Sequence, residues 1–151
     1  MPTVWVDADA CPRAVKDVLF RASARTGLPV VLVANRALRV PDQGNVSAVQ
    51  VRDGFDVADE WIAERAEEGD LVVTGDIPLE VAVLEKGAAV LEFRGDMVSL
   101  SAARSKLAVK DLLDDLRQAG EIGGGPPAWN ARDTKRFAGS LDRWLETLRK
   151  R

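Results

Sequence analysis

The stretch Val4-Trp5-Val6-Asp7-Ala8-Asp9-Ala10-Cys11-Pro12 begins with three apolar residues and then places aspartate at two of the next three positions. A short apolar run stopped by a charge reads as a buried strand. Pro12 suits the first turn of a helix, where its missing N–H costs nothing. Val15, Val18, Leu19 and Ala22 continue at helical spacing, and Gly27 stands where a helix stops. Strand followed by helix is the repeating unit of a parallel sheet. Asp7 is the odd member, because a carboxylate directly after a buried strand is expensive to desolvate and is not an obvious cap.

The same grammar recurs downstream. Leu71-Val72-Val73-Thr74 reads as a strand with Asp76 just past its end, Pro78 opens a helix that Gly87 closes, and Ala88 to Phe93 is a further strand. Between these units lie a Val-rich strand from Pro29 to Ala34, a loop from Asn35 to Asn45 containing Pro41 and Gly44, and a strand from Val46 to Val51. Asp53-Gly54-Phe55-Asp56 leads into a helix with Asp56 at its N-cap and Asp59 and Glu60 in its first turn, where negative charge is favoured. Val57, Trp61 and Ile62 form its buried stripe, and Gly69 ends it.

This order predicts a three-layer α/β fold. A mostly parallel five-stranded sheet, with strand order near 3-2-1-4-5, carries helices on both faces. The pairing of the third strand is the open point, because the link before it contains no helical pattern. Ser101 to Ala119 is a helix candidate, with Leu107, Leu112, Leu113 and Leu116. A Gly/Pro-rich stretch covers residues 120–127. Phe137, Leu141, Trp144, Leu145 and Leu148 mark a final amphipathic helix. The expected organisation is a single domain over residues 1–151, with residues 1–97 as the α/β core and 98–151 as its helical C-terminal part.

What the composition lacks narrows the chemistry. The 151 residues include no histidine, no tyrosine and one cysteine. That removes Ser-His-Asp and Cys-His catalysis, histidine or cysteine zinc clusters and any internal disulfide. The net charge of −3 argues against bulk electrostatic capture of polyanions. No apolar run approaches the roughly 18 residues of a membrane span. The N-terminus lacks a basic and then apolar leader pattern, so a cytoplasmic location is expected.

In parallel sheets, sites form beyond the C-terminal strand ends, near the point where strand order reverses. With strands one and four as neighbours, Asp7 and Asp76 face each other across that point. Asp9 sits beside Asp7, and Asp56 and Asp59 enter from the same edge. Each has a plainer local reading: Asp9, Asp56 and Asp76 as caps, Asp59 as a first-turn charge. Together, three separate segments place aspartate at one edge. Carboxylates crowded without nitrogen or sulfur donors suit a hard cation, Mg²⁺ or Mn²⁺. Such a site favours phosphodiester hydrolysis. Lys16, Asn35, Arg36 and Arg39 are candidate substrate contacts, against the plain alternative of solvated side chains. Cys11 reads first as a small packed residue, and Trp129 as a packing or base-stacking residue.

The opening nine residues quoted above resemble the signature of the small bacterial YaiI/YqxD family. So do Val31-Leu32-Val33-Ala34-Asn35, Gly54-Phe55-Asp56-Val57-Ala58-Asp59 and the run from Gly69 to Leu79. The resemblance continues through Lys86-Gly87-Ala88, Arg94-Gly95, Gly124-Gly125-Pro126 and Arg132-Asp133, nearly the whole chain. The family is itself similar to PIN-like domains, which are Mg²⁺/Mn²⁺-dependent nucleases. That similarity implies metal-holding roles for Asp7, Asp76 and Asp56 or Asp59. The expected function is a metal-dependent nuclease, with RNA favoured over DNA as partner and substrate. Two alternatives stay open. One is a non-catalytic module that binds nucleic acid, nucleotide or protein. The other is a haloacid-dehalogenase-like phosphatase using Asp7 and Asp9.

Overall fold

A computed structural model describes residues 1–118 and 127–150. The chain runs β1 (Val4–Asp7), α1 (Arg13–Thr26), β2 (Val30–Ala34), β3 (Val46–Gln50), α2 (Val57–Arg65), β4 (Leu71–Val73), α3 (Ile77–Glu85), β5 (Ala89–Leu91), β6 (Met97–Val98), α4 (Leu100–Gln118) and α5 (Ala131–Arg149). The sheet order is β3-β2-β1-β4-β5-β6. The first five strands are parallel, in the order expected. The sheet has six strands rather than five, because the short β6 folds back antiparallel on β5. Two residues are too few to carry an alternation, so this strand left no trace in the pattern.

Each strand alternates its side chains between two cores. Val4, Val6, Val30, Leu32, Leu71, Val73 and Leu91 point to the layer formed by α1 and α5. Val33, Val72 and Val90 point to the layer of α2 and α3, with Trp5 and Val31 packed against it. Burying both faces explains why these strands read as continuous apolar runs. Each fully buried Leu or Val stabilises the fold by about 1.5–3 kcal/mol. The link between β2 and β3 has no helix, yet β3 pairs parallel with β2. Leu38 and Val40 lie against the α1/α5 core and cover it where a crossover helix would.

Local signals explain most helix ends. Pro12 precedes α1, and Gly27, at φ 78°, closes it with its N–H donating to Ser23 O. The α2 helix stops at Arg65, with Ala66 extended, rather than running to Gly69. The α5 helix starts from a capping box: the Asn130 side chain accepts from Asp133 N, and the Asp133 carboxylate accepts from Asn130 N. In α4 the leucines do not form one buried stripe, since Leu112 is 59% exposed. The Gly/Pro-rich stretch lies, up to residue 126, outside the described residues.

Candidate carboxylate site

The parallel order puts the C-terminal ends of β1 and β4 side by side, Val6 opposite Val73. Asp7 ends β1, buried at 8% exposure. Thr74 follows β4, fully buried, and its hydroxyl donates to Asp7 Oδ2 at 3.0 Å. The Thr74 oxygen also accepts the Asp76 backbone N–H at 3.0 Å. Asp76 is the N-cap of α3, with Oδ2 accepting from Leu79 N at 3.1 Å. Capping and site roles are compatible here, because one carboxylate oxygen caps and the other remains.

A cleft of about 510 Å³ opens over these strand ends, and Asp7, Asp9, Asp56, Asp59 and Asp76 all line it. The sequence-predicted acidic residues are therefore brought together. Asn35 lines it too, as do Gly75 and Phe93, which sequence reasoning did not single out. Among the described residues, no lysine or arginine is part of the lining. Arg36 stands at the margin, its Nε 3.6 Å from Asp9 Oδ1. Asp9 is further held by Asn35 N, which donates to Oδ2 at 2.9 Å. Asp9 thus ties the β1 and β2 ends together instead of capping α1. Lys16, on α1, and Arg39, exposed in the β2–β3 link, are not in the cleft lining.

Asp56 occupies the N-cap position of α2, but its side chain makes no capping bond and its φ is 63°. Aspartate tolerates this left-handed region better than most residues, at a cost on the order of 1 kcal/mol. The carboxylate so released faces the cleft.

Electrostatics reflect crowding. Burial raises the pKa of Asp7, Asp76 and Asp9 raise it further, and the Thr74 hydrogen bond offsets part of this. Asp59 is pushed up to about 7, first by burial, then by the charges of Asp76 and Asp7 and a hydrogen bond with Asp76, and last by Asp56. The donor set is all oxygen. Cys11, nearby and buried, has its thiol raised to about 12 by burial and is no thiolate donor. The donor chemistry fits a hard divalent cation. Among the described residues no three acidic, His or Cys side chains meet closely enough to hold a metal ion as placed. The carboxylates ring the cleft rather than converging on one point.

Two buried acids outside the cleft escaped sequence reasoning. Asp70 accepts from Thr3 N, Trp5 Nε1 and Glu67 N, and so locks the opposite ends of β1 and β4. Glu80, fully buried on α3, lies 3.2 Å from Lys106 Nζ of α4, which also bonds Glu92. No described helix is long and apolar enough to cross a membrane.

A family profile described as "Uncharacterized BCR, YaiI/YqxD family" matches residues 5–147. A UPF0178 protein of Xanthomonas campestris pv. campestris (strain 8004) is 55% identical over 142 residues, which cover 94% of this chain and 89% of the relative. A UPF0178 protein of Shewanella sp. (strain MR-4) is 51% identical over 142 residues, covering 94% and 95%. No solved structure matches the chain. Neither relative's name states an activity.

Proposed function

The chain belongs to the YaiI/YqxD family, and from its carboxylate cleft we propose that it is a divalent-metal-dependent hydrolase of phosphodiester bonds, acting on RNA in preference to DNA. One observation carries this reading. Asp7 from β1, Asp59 from α2 and Asp76 from the β4–α3 turn share one cleft, and burial, then the charges of Asp76 and Asp7, lift Asp59 to about 7 with no lysine or arginine among the described lining residues to offset it. A bound Mg²⁺ or Mn²⁺ would neutralise this charge, polarise a phosphoryl oxygen and lower the pKa of a water.

The residues divide by how occupied they already are. Asp7 Oδ2 holds Thr74 and Asp76 Oδ2 holds Leu79 N, which leaves one oxygen of each for the cleft. Asp59 shares a hydrogen bond with Asp76 that a cation would replace. Asp56, free of any capping duty, is the fourth donor. Asp9 is engaged by Asn35 and Arg36, so it acts as a brace more than a ligand. That engagement also disfavours Asp9 as the mobile acid of a haloacid-dehalogenase-like phosphatase. A bound cation would draw the ring of carboxylates together. This accords with the resemblance to PIN-like nucleases, which assigns metal-holding roles to Asp7 and Asp76.

The test is cleavage of end-labelled single-stranded RNA and DNA with Mn²⁺ or Mg²⁺. Cleavage abolished by chelation and lowered at least a hundredfold in Asp7→Asn and Asp76→Asn supports the proposal. A folded, metal-binding wild type that cleaves neither substrate points to the non-catalytic module instead.

A further inference from the structure

Among the described residues the acidic cleft has no lysine or arginine in its lining, so a polyanionic substrate must find its cations elsewhere. The outer face of α5 supplies them. Arg132, Lys135, Arg136 and Arg143 are all exposed and line a hollow of about 570 Å³ with Gly95 and Gly139. Positions 132, 135, 136, 139 and 143 follow helical spacing, which sets them along one stripe. The opposite stripe, Phe137, Leu141 and Trp144, is buried in the core. Among the described residues the hollow is lined by four cations against the single acid Asp142, in a chain whose net charge is −3. Arg136 is committed to Asp96 at 2.8 Å, and Asp142 is paired with Arg25. Gly139 needs no glycine for packing: an added Cβ would meet only Arg143 Nη1, at an ordinary 3.5 Å. The glycine keeps the floor of the hollow bare between the flanking cations.

A path joins this face to the cleft. A second hollow of about 490 Å³ shares Ala10, Gly75 and Phe93 with the cleft and is walled beyond them by Arg94 and Trp129. The β5–β6 hairpin, residues 92–96, borders all three: Phe93 the cleft, Arg94 and Asp96 the second hollow, Gly95 the cationic one. Aromatic walls between a carboxylate cleft and a cationic helix face suit unpaired bases with a phosphate backbone running alongside.

We infer that the outer face of α5 is the docking surface for the phosphate backbone of a single-stranded polynucleotide whose strand runs along the β5–β6 hairpin toward the acidic cleft. Docking stands on the α5 face alone; its use in catalysis rests on the function proposed above. Arg132, Lys135 and Arg143 contact phosphates, and Arg136 fixes the hairpin through Asp96.

The experiment is fluorescence anisotropy with a labelled mixed-sequence oligoribonucleotide, in chelator so that no cleavage occurs, over a salt series. The full chain is compared with its R132Q/K135Q/R143Q variant. The wild type is expected to bind. The variant should bind roughly tenfold or more weakly, with the slope of log affinity against log salt reduced by about 2. Equal affinity and slope in the two proteins would overturn the inference, as would a wild type that does not bind. So would competition by poly-L-glutamate as effective as that by RNA, which would assign the face to acidic proteins. Mn²⁺ calorimetry on the wild type, set beside its RNA binding, separates the two proposals. Metal uptake without RNA binding removes only this inference, and RNA binding through α5 without metal uptake removes only the cleft's proposed chemistry.

Discussion

The Thr74 hydroxyl donates to Asp7 Oδ2 at 3.0 Å, across the junction of the two central strands. Thr74 Oγ1 in turn accepts the Asp76 N–H. One buried side chain thereby fixes both strand-end aspartates. Thr74→Val keeps the shape and removes the hydroxyl, leaving a buried carboxylate short of a donor. It should cost about 1–3 kcal/mol in urea unfolding at neutral pH, with Thr74→Ser retaining most of the stability. Equal losses for Val and Ser would show that packing, not the hydrogen bond, is what Thr74 supplies.

Asp59 is raised from 3.8 to about 7 by burial, by Asp76 and Asp7, and by Asp56. Its folded-state value exceeds its unfolded one, so the native chain holds the proton more tightly. Without a cation, stability should fall as pH rises between those two values. Asp59→Asn mimics the protonated form. It should therefore melt higher than wild type at pH 8 in chelator, and the advantage should vanish at low pH. With Mn²⁺ present the order should reverse, because the variant has lost a donor. Melting curves under both conditions decide it.

Glu80 gives a second pH dependence that a cation does not touch. Burial, then a hydrogen bond and the charge of Glu92, push it from 4.5 up to about 8, with Lys106 offsetting part of the rise. When Glu80 is ionised, neither of its oxygens has an aligned hydrogen-bond donor among the described residues, although Lys106 Nζ is 3.2 Å away. Holding a proton relieves both the repulsion and the missing partner. Stability from this group is full below 4.5 and is lost as pH rises through about 8. Glu80→Gln should remove that part of the alkaline loss, with or without Mn²⁺. Unchanged pH dependence in the variant would rule the assignment out.

Gly95 sits at φ 102° with an added Cβ only 2.7 Å from the Arg136 carbonyl carbon. Its own carbonyl accepts from Ser140 Oγ. The hairpin therefore lies directly on α5. Gly95→Ala should cost about 2 kcal/mol or more through backbone strain and displacement of the hairpin. Chemical denaturation measures this, with Gly139→Ala as the near-neutral comparison.

The parallel order was legible because Val-rich runs ending in aspartate, each followed by a proline-opened helix, admit few other topologies. Even the helix-free β2–β3 link obeyed it, since Leu38 and Val40 cover the core from a loop. The gathering of Asp7, Asp56, Asp59 and Asp76 followed from that topology. What escaped depended on contacts distant in sequence. Thr74 reads as a strand end until β1 lies beside it. Glu80 looks like an ordinary helix-surface acid until α4 brings Lys106 over it. Asp56 carried a capping signal, but its left-handed backbone turns the side chain away from that role. The Asn130 to Asp133 capping box was visible as a spacing and went unread.

Mn²⁺ titration by calorimetry, comparing the wild type with Asp7→Asn and Asp76→Asn, addresses the carboxylate cleft most directly. The wild type is expected to bind saturably and both variants to lose binding, with all three proteins folded. A folded wild type that takes up no Mn²⁺, or variants that bind it as tightly as the wild type, would contradict a metal site built from the ends of β1 and β4.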